Sequence, residues 1–285
     1  MSEFETLTIT SADAHRFEAK LFLSGKADSP VLIFYSAMGT PSKVYRAFAS
    51  TMADHEITVC TPDWRGIGSS SLRASRKTDF GYRQLVEKDA PVLIDALNTR
   101  FPGAKLWLGG HSLGGQLGAL IAAINPDRIH GLLPIASGSV YLPCFPKKSQ
   151  RQIRFIGALI NTVVPLIGYF PGNRFGFAGR EARGVMLDWY RVAGSGRYEP
   201  SNTKVNYEQA LSRLNLPVLG LNFAGDTFAT AAAANYLLAK LKACAVEQWL
   251  WDESHCNGIQ FDHYSWLKNS PIVVPTVAAW LHQHS

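Results

Sequence analysis

Short apolar runs rich in β-branched residues alternate along the chain with longer stretches whose apolar positions recur every three to four residues. The first kind predicts strands at 6–10, 17–23, 31–36, 57–61, 105–109, 131–136, 217–224 and 246–252. The second predicts helices at 41–54, 82–100, 113–124, 227–242 and 272–282. This alternation points to βα units around a mostly parallel sheet, because a parallel crossover needs about a helix's worth of chain. No helix separates the first two strands, so they are expected to pair antiparallel. Between Gly138 and Tyr207 the rhythm breaks, with helical patterns at 149–164 and 180–192 and punctuation at Gly168, Pro171, Gly172 and Pro200. Residues 138–207 therefore read as an insert in a core made of 1–137 and 208–285.

Over 285 residues, 47% hydrophobic and 18% charged side chains suit a folded chain with a sizeable core. Residues 1–10 carry Glu3 and Glu5 and no basic-then-apolar run, so no secretory leader is read there and a cytoplasmic location is expected. The longest uncharged apolar stretch, 155–170, is broken by Asn161 and Pro165 and is shorter than the roughly 20 residues of a membrane-spanning helix. No transmembrane segment is expected. Cys60, Cys144, Cys244 and Cys256 lack C-x-x-C spacing, and no histidine stands at metal-ligand spacing from another His or Cys. Neither a disulfide framework nor a metal or other cofactor is implied. A net charge of +6 with pI near 9.1 raises the question of nucleic acid. Yet ten Lys and Arg against three acids lie between Gly138 and Lys204, giving that segment +7 and leaving −1 for the rest. The basicity belongs to one internal segment, and a nucleic-acid partner is not expected.

Gly110-His111-Ser112-Leu113-Gly114 follows a predicted strand and opens a predicted helix, the setting of a G-x-S-x-G nucleophile elbow. A sharp strand-to-helix turn strains the backbone of its central residue, and small residues two before and two after leave room for the chain to fold back. The hydroxyl of Ser112 is then presented at the carboxyl end of the sheet beside the unpaired amides of a helix start. The plainer alternative is an incidental serine in a glycine-rich turn.

With this elbow the chain resembles the α/β-hydrolase superfamily over essentially its whole length. The resemblance implies a mostly parallel eight-stranded sheet flanked by helices, a helical cap at 138–207, and triad partners in the order serine, acid, histidine. The run Val218 to Asp226 is a strand ending in an acid and matches the superfamily's acid loop, so Asp226 is the expected acid; an N-cap for the next helix is its plainer role. Asp252, ending the next strand, is the rival. His255 and His263 both follow the last strand, and His263, in Asp262-His263-Tyr264-Ser265-Trp266, is preferred as the base. That stretch, with Gly168-Tyr169-Phe170-Pro171-Gly172 and Leu187-Asp188-Trp189-Tyr190, is similar to a subgroup of uncharacterised bacterial hydrolases near the serine aminopeptidases. The subgroup carries Gly-His-aromatic where this chain has Asp262-His263-Tyr264. His15, His55, His130, His282 and His284 are expected at the surface or in loops.

An oxyanion hole needs two backbone N–H groups aimed at the developing charge. Leu113 supplies one by position. The other is expected from Tyr35-Ser36-Ala37-Met38-Gly39, where many relatives carry His-Gly-x-x-Gly; Ala37 matches by register and Met38 is the alternative. Pro62 to Ser70 resembles the superfamily's Asp-x-Arg-Gly-x-Gly-x-Ser loop, in which Asp63 and Arg65 are expected to pin backbone. As a dinucleotide cradle, Gly66-x-Gly68 lacks the third glycine and the ribose acid.

The expected function is that of a serine hydrolase cleaving a carboxylic ester or thioester of a small-molecule acyl substrate through an acyl-enzyme. A serine at the elbow argues against dehalogenase chemistry, which in this fold uses a carboxylate there. The same triad would serve an acyltransferase or a serine peptidase, though a peptidase wants acids to hold a substrate ammonium and the insert is basic. A non-catalytic binding protein on this fold is disfavoured by an acid and a histidine following in order. The insert joins apolar residues such as Phe155, Leu159 and Val163 to its ten cations. It could cover an acyl chain and attract a remote anionic group, or simply pack on the core with its charges solvated.

Overall fold

The computed structural model describes residues 4–285; residues 1–3, with which the segment inspected for a leader and the expected core range 1–137 begin, lie outside the described residues. In chain order the elements before the insert are β1 (Glu5–Thr10), β2 (Arg16–Phe22), β3 (Val31–Tyr35), α1 (Arg46–Asp54), β4 (Thr58–Pro62), α2 (Ala90–Arg100), β5 (Leu106–His111), α3 (Leu113–Ile124) and β6 (Gly131–Ile135). The insert holds α4 (Lys147–Ile167), β7 (Tyr169–Pro171), β8 (Arg180–Ala182) and α5 (Arg183–Ser195). After it come α6 (Tyr207–Arg213), β9 (Pro217–Phe223), α7 (Ala231–Leu238), β10 (Ala245–Trp251), α8 (Ser265–Lys268) and α9 (Ser270–Gln283).

Eight strands form one sheet in the order β1-β2-β4-β3-β5-β6-β9-β10. The β1–β2 and β2–β4 pairs are antiparallel and the other pairs are parallel. The central strands β3, β4, β5 and β6 are buried along their whole length and mostly apolar because both faces are covered. In β3 the period of two sends Val31, Ile33 and Tyr35 to one core and Leu32 and Phe34 to the other. The first core is closed by α2 and α3 through Leu93, Leu97, Leu117 and Leu120, the second by α1 and α9 through Phe48, Met52, Val273 and Val277. This is an α/β-hydrolase fold, and it points the carboxyl ends of β3, β5 and β9 toward one edge, where ligands bind in such sheets.

Three sequence expectations need correction. The helix predicted at 227–242 shrinks to α7, because one carboxylate oxygen of Asp226 accepts the amides of Phe228 and Ala229 and holds them in a loop. Thr230 then caps the helix by accepting the Ala233 N–H. The helix predicted at 180–192 begins at Arg183, since Arg180 to Ala182 pair antiparallel with β7. His15 does stand in the loop between β1 and β2, but it is not at the surface: it is buried, with Nδ1 3.2 Å from Asp89 Oδ1 and Nε2 2.9 Å from Ser70 Oγ. Among the described residues no helix is long and apolar enough to cross a membrane.

Candidate active site

At the end of β5 the chain must turn into α3 within one residue. Ser112 takes that turn at φ 56° and ψ −117°, a region costly for a residue with a Cβ. The flanking glycines are dictated by contact. A Cβ on Gly110 would lie 2.3 Å from the Gly114 carbonyl carbon, and one on Gly114 would lie 2.2 Å from the Tyr35 carbonyl oxygen. Ser137 Oγ braces the bend by donating to the Ser112 carbonyl at 2.6 Å.

Ser112 and His263 line one cavity of about 650 Å³. His263 Nδ1 is 2.7 Å from Asp226 Oδ2, and both side chains are buried. The other oxygen of Asp226 takes the two loop amides, so the carboxylate has both the N-cap-like role and the histidine contact, one per oxygen. Phe228, Tyr264 and His111 surround the His263 ring at centroid distances of 5.3, 5.0 and 4.6 Å. The rivals stand apart: His255 and Asp252 pair with each other at 2.9 Å, exposed, and neither lines the Ser112 cavity.

The amides form a second constellation. Leu113 opens α3, where a helix N–H has no intrahelical acceptor. The Ala37 N–H, preferred from the sequence as an oxyanion donor, is instead donated to Tyr45 Oη at 2.9 Å. Tyr45 Oη in turn lies within hydrogen-bond distance of His111 Nδ1, at 2.8 Å. No acceptor takes the Met38 N–H among the described residues. Burial holds His111 well below the usual histidine range, with the neighbouring His263 adding to the effect. His111 is therefore neutral, and its ring adds no positive charge beside His263. Tyr45 and His111 are 66 residues apart, and nothing in the sequence pairs them.

Much of the remaining wall is apolar, with Met38, Val140, Ile156, Leu159, Phe177 and Trp189, while Gln116, Ser149, Gln152 and Thr227 add polar groups. Five of these six apolar residues come from residues 138–207. Arg151 reaches it, and no Asp or Glu lines it among the described residues. At the rim Phe155 and Phe228 are 62% and 61% exposed, so the mouth itself is aromatic.

Comparisons place this geometry among known proteins. The family model for serine aminopeptidase, S33, matches residues 26–174, just over half of the chain. The human monoglyceride lipase is 25% identical over 221 residues, 74% of this chain and 69% of that protein. A pimeloyl-[acyl-carrier protein] methyl ester esterase of Aeromonas salmonicida is 30% identical over 121 residues; the match spans 42% of this chain and only 41% of the esterase's length. In structure, Est1E of Butyrivibrio proteoclasticus, solved with ferulic acid bound, superposes with a TM-score of 0.64 over 98% of both chains at 16% identity.

Proposed function

The chain belongs to the serine aminopeptidase S33 family of α/β-hydrolases, and from that premise we propose that it hydrolyses a carboxylic ester or thioester through an acyl-enzyme on Ser112. The observation that carries the reading is the buried His263–Asp226 pair, whose histidine lines the same largely apolar cavity as the strained elbow serine. In this reading Ser112 Oγ attacks the acyl carbonyl carbon while His263 Nε2 takes its proton. Asp226 holds Nδ1–H and so fixes the tautomer that leaves Nε2 free to accept. His263 then protonates the leaving oxygen or sulfur as its bond to carbon breaks, and water repeats the sequence on the acyl-enzyme.

The oxyanion is held by the N–H groups of Leu113 and Met38. Met38 replaces Ala37 in this role because the Ala37 amide is already spent on Tyr45. Residues 138–207 act as a cap that supplies most of the apolar wall, which suits an apolar acyl group. The similarity to an ester hydrolase and a glyceride lipase supports the same substrate class. An aminoacyl substrate fits less well, since no carboxylate among the described residues lines the cavity to meet its ammonium.

The test is labelling with a fluorophosphonate followed by peptide mapping, with p-nitrophenyl butyrate hydrolysis as the activity. Ser112 is the expected site, and Ser112→Ala is expected to lower kcat by about 10⁴-fold to 10⁶-fold while the protein stays folded. Turnover of that variant within tenfold of the natural chain would remove the reading.

A further inference from the structure

Beside the acyl cavity lies a second cleft of about 550 Å³ that the hydrolase chemistry leaves unused. Its charged lining consists of Lys20, Lys43, Arg46, Arg73 and Arg180, with Asp63 as the one acid. The acid is committed elsewhere: Asp63 accepts the Ser42 N–H at 2.8 Å, the Ser69 N–H at 2.9 Å and the Ser69 hydroxyl at 2.8 Å. Lys20 is paired with Glu18 at 2.6 Å.

Lys43, Arg73 and Arg180 have no carboxylate partner among the described residues. Two of the three are held in place all the same. Arg73 donates to the carbonyls of Gly68 and Leu72, each at 2.6 Å, and to that of Ser70. Arg180 donates to the Ala74 carbonyl at 2.7 Å and lies 4.0 Å over the Tyr169 ring. Carbonyl oxygens orient a guanidinium without cancelling its charge, so the cleft keeps a fixed positive field. Gly66 and Gly68, in the loop whose glycines lack the dinucleotide pattern, form part of its floor.

The cleft and the acyl cavity share a wall. Ala37 and Met38 line the cavity, and the next residues, Gly39, Pro41 and Ser42, line the cleft. From the insert, Phe177 and Ala178 line the cavity, and Gly179 and Arg180 line the cleft. The wall is thin where these segments cross: a Cβ on Gly39 would lie 2.3 Å from the Gly179 nitrogen.

We propose that this cleft binds a phosphate-bearing arm of the substrate's leaving group while the acyl group fills the neighbouring cavity. The proposal rests on Ser112 as the acyl nucleophile. The bond broken is that between the acyl carbon and the oxygen or sulfur of the arm, which departs with the proton carried by His263. The phosphate takes no part in the bond changes. It is held by Lys43, Arg73 and Arg180, as a cluster of cations holds any phosphate ester.

The experiment has two readouts. Titration calorimetry with inorganic pyrophosphate is expected to show binding that weakens about tenfold in Lys43→Glu, an exposed position where the change leaves the fold intact, with Arg73→Gln as a second variant. Kinetics then compare butyryl-coenzyme A with butyryl-N-acetylcysteamine, and a 1-acylglycerol 3-phosphate with the corresponding monoacylglycerol. In at least one pair the phosphate-bearing member is expected to have a kcat/KM about tenfold higher at low salt, and that ratio is expected to fall toward one in Lys43→Glu and at high salt. The pair that shows the gain tells a thiol carrier from a glycerol phosphate. Absence of pyrophosphate binding, or binding with no gain in either pair, overturns the proposal. Failure of the hydrolase reading looks different: p-nitrophenyl butyrate is then inert and Ser112 unlabelled, while the calorimetry still decides whether the cleft binds phosphate.

Discussion

Two histidine–aspartate pairs lie in the loops that follow β9 and β10, and as hydrogen bonds they are nearly the same object. His263 Nδ1 lies 2.7 Å from Asp226 Oδ2, and His255 Nδ1 lies 2.9 Å from Asp252 Oδ1. Their surroundings differ. The side chains of the first pair are 6% and 0% exposed, those of the second 50% and 59%. The first bond joins residues 37 apart in sequence, brought together only by the finished sheet; the second joins residues three apart in one short turn. Asp252 also accepts the amide and hydroxyl of Ser254, and these bonds, with the one from His255, pull its carboxyl down to about 2. It is a turn cap that happens to hold a histidine. A short His–Asp distance is thus poor evidence of a site by itself; burial, an adjoining nucleophile and a cavity distinguish the two.

That contrast is broken most directly by exchanging the pairs in the assay. With p-nitrophenyl butyrate, His263→Ala is expected to cost about 10⁴-fold to 10⁶-fold in kcat, and Asp226→Asn about 10³-fold to 10⁴-fold, because members of one catalytic unit fail together. His255→Ala and Asp252→Asn are each expected to stay within about twofold, as exposed turn substitutions do. If His255→Ala were the inactivating change, the base and acid assignments would pass to the exposed pair.

A smaller effect is expected one shell away, where the buried pair has support that the exposed pair lacks. Tyr45→Phe strands two buried groups at once, the Ala37 N–H and His111 Nδ1. Stranding each such group costs about 1–3 kcal/mol. The expected result is a fall in kcat of about tenfold to thirtyfold with little change in KM, and a lower Tm. A fall in Tm with kcat unchanged would make the Tyr45–His111 link a matter of stability alone.

The legible parts of this molecule are those in which local pattern and final contact coincide. All eight sheet strands overlap the segments predicted for them; the central ones are buried on both faces and write themselves as short apolar runs, whereas β1, β2 and β10 keep exposed polar positions. Helix α3 matches its predicted bounds since the elbow's glycines mark its start. Legibility fails where the deciding contact is remote. The helix expected from Thr227 gives way to a loop because Asp226 binds two amides while facing a histidine 37 residues on. The β7–β8 pair takes Arg180 from a helical pattern by pairing it with Pro171. His15 reads as an isolated loop residue, yet Asp89, 74 residues away, gives it a buried partner. Asn206, which accepts the Gln209 N–H at the start of α6, is a signal the sequence did carry; α6 is short and adjoins the insert boundary, so its apolar periodicity spans barely two turns.

A third carboxyl sharpens the comparison from the other side, with the smallest effect. Glu181 in β8 is buried like Asp226, but among the described residues it pairs with no histidine and accepts only the Gly179 N–H, at 3.0 Å. Burial outweighs that single bond and raises its carboxyl from the ordinary 4.5 to about 7. Between those two values the folded chain holds a proton that the unfolded chain has released, so this group's contribution to stability is full below about pH 4.5 and is lost as pH rises through about 7. Glu181→Gln keeps an oxygen to accept the Gly179 amide and removes the titration. Urea unfolding at pH 5 and pH 8 is expected to show the variant gaining on the natural chain as pH rises, by on the order of 1–3 kcal/mol at pH 8. Equal shifts at both pH values would mean that water or a cation reaches Glu181 in solution. The Gly179 segment, which forms the thin wall between the two cavities, would then be held more loosely than its one short bond implies.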